Sequence, residues 1–270
     1  MEENKKVILT GIVIVILIGA ALAIYFLFVH KTKEAPPAQE VSEKPPVEVP
    51  LEESLKAREE ALKEASQVEL DQSDDVVRKL AMDLSSHPQL ASWLKTRDLI
   101  RKFTAAVDNI AHGLSPRPQI DFFSPSGNFK VIKKGRSYYL DPQSYHRYDQ
   151  VADVFLSLDT DYCLTLYRQL KPLIQAAYSD LGYPHQDFQP TLVRAIIELL
   201  KVPIVEGDIL LKKKVVTYQI ANPRLESLSE AQKHLLRMGP ENIRIIQGKL
   251  RELAGGLGIP AERLPRSEIY

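Results

Sequence analysis

A mainly helical domain with a small β element, carried behind a single N-terminal transmembrane helix and a Pro-rich stalk, is the fold class this sequence predicts. Three observations predict it. The chain opens with an uncharged apolar run from Val7 to Val29. An acidic, Pro-rich stretch without apolar periodicity follows. From about Ser73 onward apolar residues recur at helical spacing, interrupted by two short extended stretches.

The run from Val7 to Val29 is 23 residues long. At about 1.5 Å per residue a helix of that length reaches about 34 Å, enough for a hydrocarbon core of roughly 30 Å. A buried core helix rarely continues so far without a polar face. A cleaved signal peptide has a shorter apolar stretch, of about 7–15 residues, ending at small residues. Here the small-x-small triplet Ala21-Leu22-Ala23 lies inside the run and is followed by six more apolar residues. Residues 7–29 are therefore expected to be an uncleaved anchor in the lipid bilayer. Residues 1–6 form a short tail with Lys5 and Lys6, and Lys31 and Lys33 follow the span. The positive-inside count is nearly balanced, so orientation rests on the short tail, which places the N-terminus inside and the C-terminal domain outside. Gly11 and Gly19 do not form the Gly-x-x-x-Gly spacing of close-packed spans.

Residues 30–72 read as a stalk. Pro36, Pro37, Pro45, Pro46 and Pro50 favour extended polyproline II, and few apolar residues are present to drive collapse. Glu52 to Glu69 has no Pro or Gly and suits a polar helix, marginal by itself. The zero net charge hides an asymmetry. Residues 34–75 carry 13 acidic and 4 basic side chains, a balance of −9, whereas residues 76–270 carry +7. An acidic stalk thus bears a mildly basic domain. That excess is too small to argue for nucleic acid as a partner, but it suits solubility or attraction to an anionic surface.

The folded domain is expected over 73–265. Leu90, Trp93, Leu94, Arg97, Ile100, Phe103, Val107 and Ile110 predict one helix from Gln89 to His112. Cys163, Leu166, Tyr167, Leu170, Leu173, Ile174, Ala177 and Tyr178 predict a second, with Pro172 marking a kink or a fresh start. Leu192, Val193, Ile196, Ile197 and Leu200 give a third, ended by Pro203. Ser229-x-x-Gln232 is a capping-box pattern opening a helix that stops at Gly239-Pro240, and another runs from Glu241 to Ala254. Phe129 to Leu140 reads as a hairpin about Lys133-Lys134-Gly135-Arg136. Ile209 to Ile220 reads as a further extended stretch, with Val216, Tyr218 and Ile220 on one face.

Chemistry-bearing patterns are sparse. Cys163 is the single cysteine, so no disulfide forms within the chain, and its place on an apolar stripe suits a core residue. No His-Glu-x-x-His, Asp-rich loop, Gly-x-Ser-x-Gly or phosphate-binding loop occurs, so neither a metal nor a cofactor is expected. The densest polar cluster is Tyr145, His146, Arg147, Tyr148 and Asp149. Its residues could do acid–base work or hold an anion, or Ser144 could cap a helix whose first turn Asp149 favours. Lys233, His234, Arg237, Glu241, Asn242 and Arg244 form a second cluster; Lys233 and Arg237 share a helical face and with Arg244 could bind an anion, though cations near a helix C-terminus also complement its dipole. Lys130, Lys133, Lys134 and Arg136, with Lys212, Lys213 and Lys214, could make a positive edge or guard exposed strands against aggregation. Asp159 and Asp161 suit helix capping.

Four segments, in order, resemble a known family: WLKTRDLIRKFTAAVDNIAHG (93–113), SYHRYD (144–149), LYRQLKPLIQAAYSDLGYP (166–184) and LSEAQKHLLRMGPEN (228–242). Together they resemble the bacterial domain-of-unknown-function family numbered 3014, over roughly Val76 to Leu253. The resemblance implies a bacterial inner-membrane protein with one N-terminal span and a Pro-rich linker. It implies no activity. Two readings follow: a non-enzymatic envelope protein whose periplasmic domain binds a partner protein or an anionic polymer, or an enzyme acting on an envelope polymer at Tyr145–Asp149. The lack of catalytic motifs favours the first.

Overall fold

In the computed structural model, residues 68–121 and 127–270 are described. The expected span at 7–29, the stalk up to residue 67 and all but the end of the Glu52–Glu69 helix lie outside the described residues; Val68 and Leu70, at the stalk's end, pack against the helical core. Among the described residues no helix is long and apolar enough to cross a membrane. The helical periodicity becomes α1 (Asp74–Ala81), α2 (Pro88–Trp93), α3 (Leu99–Ala111), α4 (Asp149–Ser157), α5 (Thr160–Asp180) and α6 (Gln189–Leu200). After the strands come α7 (Pro223–Glu226), α8 (Glu230–Leu236) and α9 (Pro240–Gly256). The strands are β1 (Val131–Lys134), β2 (Ser137–Leu140), β3 (Leu210–Lys213) and β4 (Tyr218–Ile220). The molecule is thus mainly helical with a small antiparallel sheet.

The long helix α5 shows how the pattern becomes structure. Asp159 accepts from the Tyr162 N–H at 2.7 Å and starts it, as capping predicts. Leu166, Leu170, Leu173, Ile174, Ala177 and Tyr178 are all buried along one face. Pro172 does not force the fresh start that its sequence position suggests; the helix continues through it. Pro172 and Arg168, whose carbonyl loses its partner, both lie on the exposed face, so the lost hydrogen bond falls on the solvent side of the helix.

The single helix expected over Gln89–His112 is instead two. The chain breaks between Trp93 and Leu99, and Asp98 sits in the left-handed region at φ 58°. The cause is tertiary. The Asp74 carboxylate of α1 accepts from the backbone N–H groups of Asp98 (2.8 Å) and Leu99 (2.9 Å), satisfying donors that a helix start leaves open. Arg78, one turn on, donates to the Leu94 carbonyl at 2.7 Å and the Thr96 carbonyl at 3.4 Å. Phe103, predicted on the buried stripe, is 42 % exposed.

The sheet has the order β1-β2-β3-β4, antiparallel throughout. Gly135, at φ 62°, makes the tight β1–β2 turn at the predicted place. The second extended stretch is not one strand but a hairpin, β3 and β4, with residues 214–217 as its tip. Val216 therefore lies in a loop, 90 % exposed, and does not share a buried face with Tyr218 and Ile220. One sheet face packs inward through Leu140, Ile209 and Leu211.

Three apolar clusters meet. The first gathers α1, α2, α3 and α5 around Leu80, Trp93 and Tyr178; the second gathers α6, α8 and α9 around Leu200, Leu236 and Ile243. Val151 and Leu192 pack against both, and Val205 and Ile220 join the second to the sheet. The last residues close the fold: Tyr270 N–H donates to the Ile204 carbonyl at 2.9 Å, and Ile204 N–H donates to that of Glu268 at 2.8 Å.

Candidate functional site

The segment Tyr145–Asp149 occupies the end of a 3-10 turn, Pro142–Tyr148, and the first residue of α4. Asp141, not Ser144, caps that turn, through the Gln143 N–H at 2.9 Å. Ser144 is buried and its hydroxyl instead accepts from the Lys130 N–H at 2.9 Å, tying the turn to the residue just before β1. Tyr145 packs against the sheet cluster on one side and against Gly239 on the other. Burial, and secondarily the charge of Asp208, raise its phenol above the ordinary value.

The polar members are held by neighbours rather than aimed together into a cleft. His146 Nδ1 lies 2.9 Å from Asp149 Oδ2. The other Asp149 oxygen accepts from Asn242 Nδ2 at 3.0 Å, and the same amide donates to the carbonyls of Met238 and Tyr145. Asn242 is only 4 % exposed, so α9 fixes the start of α4 from within. Arg147 turns away, donating to the carbonyls of Ser144 (3.0 Å) and Gly127 (3.2 Å) and lying over the Tyr148 ring. Tyr148 packs against the second core cluster. Asn242 was visible in the sequence only as a polar neighbour of Arg244; no linear signal ties it to Asp149, 93 residues earlier.

Two of the three cations predicted as an anion site are paired separately with carboxylates. Lys233 pairs with Glu226 at 3.2 Å. Arg244 pairs with Glu206 and with Glu241. Arg237 is exposed at the C-cap of α8. A pair that the linear reading does not reveal stands beside them: Ser115 Oγ and His234 Nε2 are 2.7 Å apart. Burial lowers the His234 pKa, and the charges of Arg237 and Arg117 lower it further against an opposing contribution from Glu230. Glu230 accepts from the Ser115 backbone N–H at 3.3 Å, so it orients the loop rather than the imidazole.

The third cluster is the sheet's far end, where both hairpin tips emerge. Lys133 and Lys213 each hold their ammonium 6.0 Å from the centre of the Tyr138 ring, and Tyr138 and Tyr218 are in tilted contact at 5.7 Å. Lys134 lies over Tyr139 and pairs with Asp208. The two basic stretches do not pair directly, because β2 lies between β1 and β3. Elsewhere a shallow groove of about 460 Å³ is lined by Val193, Ile197, Leu257 and Ile259, with Arg194 and Arg263. Among the described residues no group of three or more His, Cys, Asp or Glu side chains is placed to hold a metal.

Comparison with known proteins yields one match. No curated protein and no solved structure matches the chain. A family model described as protein of unknown function (DUF3014) matches residues 99–254, from the start of α3 into the last turn of α9, and therefore takes in the Asn242–Asp149 contact and the sheet. The chain belongs to that family.

Proposed function

We propose that this is a single-pass bacterial inner-membrane protein that displays a non-enzymatic binding domain in the periplasm. The observation that carries the binding reading is the commitment of the Tyr145–Asp149 side chains to the fold: Asp149 to His146 and buried Asn242, Arg147 to two carbonyls, Tyr145 to Gly239. A general acid–base site needs such groups converging on a substrate, and of these only His146 and Asp149 pair, at an exposed surface. The anchor rests on the 23-residue apolar run, and the stalk on the prolines that follow it. An anchored domain faces partners at high effective concentration, so modest affinity for an envelope protein or anionic polymer suffices.

The test is complementation of a deletion strain with His146→Ala and Asp149→Asn, the second keeping the acceptor for Asn242. The binding reading expects both folded variants to rescue. Folded variants that fail to rescue would favour an enzyme acting on an envelope polymer at this segment.

A further inference from the structure

The β3–β4 hairpin ends in a tip unlike the rest of the surface. Residues 212–218 are seven consecutive exposed positions, Lys-Lys-Lys-Val-Val-Thr-Tyr. Val215 is 97 % and Val216 90 % exposed. Two adjacent, fully exposed β-branched residues behind three lysines are not what solubility requires. The β2–β3 register ends at Leu211, so Lys212, Lys213 and Lys214 stand on a two-stranded projection of β3 and β4 beyond the sheet proper. Because the sheet is antiparallel, the β1–β2 turn emerges at the same end, bringing Lys133 and Arg136. Among the described residues Lys133, Arg136, Lys212, Lys213 and Lys214 form no ion pair, whereas Lys134 is matched by Asp208. Tyr138 and Tyr218 stand just below, amphipathic rings of the kind that settle at headgroup level.

We propose that this tip docks the domain onto an anionic bilayer surface, with Val215 and Val216 entering the interface and Lys212, Lys213 and Lys214 meeting lipid phosphates. The occupant follows from the combination: cations alone would suit any polyanion, but exposed valines need an apolar phase beside the charge. The inference deepens the anchored reading and rests on it for proximity to the bilayer. Each lysine near an anionic surface is worth about fivefold in the docked ratio, so neutralising three lowers it on the order of a hundredfold.

The experiment uses the full chain carrying Cys163→Ser and Val216→Cys, labelled with a polarity-sensitive fluorophore at 216. It is reconstituted into nanodiscs of phosphatidylcholine, with or without phosphatidylglycerol. Docking predicts blue-shifted emission only in anionic discs, lost in high salt and in the Lys212→Gln, Lys213→Gln, Lys214→Gln variant. Trp93 fluorescence confirms that each variant is folded. Equal emission in both discs overturns the proposal, as does an equal shift with a soluble polyanion. If the chain does not enter discs at all, the anchor reading fails; the labelled chain added to vesicles of the same two compositions then decides the tip by the same emission criterion.

Discussion

Replacing Gly239 by Ala tests whether the turn before α9 and the turn before α4 are one interlocked unit. Gly239 has φ 85° and ψ 165°, a region nearly confined to glycine. Placing an L-residue there costs about 1–3 kcal/mol. The added Cβ would also stand 2.3 Å from Cγ and 2.8 Å from Cβ of Tyr145. Those atoms are close to the backbone, so rotating the ring cannot relieve the overlap; overpacking of this kind costs about 1–3 kcal/mol more. The total is about 4 kcal/mol, a large part of a domain's typical stability. Repeating the substitution in a Tyr145→Ala background separates the parts: the overlap with the ring atoms is removed, while the 2.8 Å approach to the Cβ that Ala keeps and the backbone contribution stay. The cycle should show a coupling of about 1–3 kcal/mol. Urea unfolding in mild detergent, followed by fluorescence of Trp93, reads it; that single tryptophan is 6 % exposed in the first core cluster. An equal cost in both backgrounds would refute the interlock.

Other consequences are checked with the same material. Gln247 is 2 % exposed and donates to the carbonyls of Leu199, Leu200 and Val202, closing the C-terminus of α6, so Gln247→Leu should lower stability by about 2–3 kcal/mol in urea titration. Cys163 has its thiol pushed up to about 11, by burial first and by Asp159, against the opposing charge of Lys249; thiol labelling at pH 8 should be slow in the native chain and fast in urea. His234 has its pKa lowered from 6.5, so below that value the unfolded chain binds the proton more readily than the folded one. Its contribution is fully present above about pH 6.5 and is lost as pH falls through the folded pKa; the midpoint difference between pH 7.5 and 5.5 should therefore shrink in His234→Gln.

How far the sequence leads depends on whether a feature is local. The capping box at Ser229 and Gln232 forms in full, with both reciprocal hydrogen bonds, because every participant lies within four residues. The Gly135 turn and the Asp159 cap are legible for the same reason. The break at Leu94–Asp98 is not, because its cause is the carboxylate of Asp74 and the guanidinium of Arg78 on another helix. The candidate site divides likewise. Tyr145 to Asp149 are a real polar concentration, but their partners Asn242, Gly239 and Lys130 come from elsewhere in the chain. The lysine runs were visible, yet only strand pairing shows that Lys212 and Lys213 stand on a two-stranded projection and that Val215 and Val216 form a tip.

The measurement closest to the central claim is topology. An alkaline phosphatase fusion at the C-terminus of the full chain is compared with a cytoplasmic reporter at the same position. Residues 7–29 as an anchor with the N-terminus inside predict high phosphatase activity and a silent cytoplasmic reporter. An inactive phosphatase with a bright cytoplasmic reporter would contradict the account and remove the domain from the envelope.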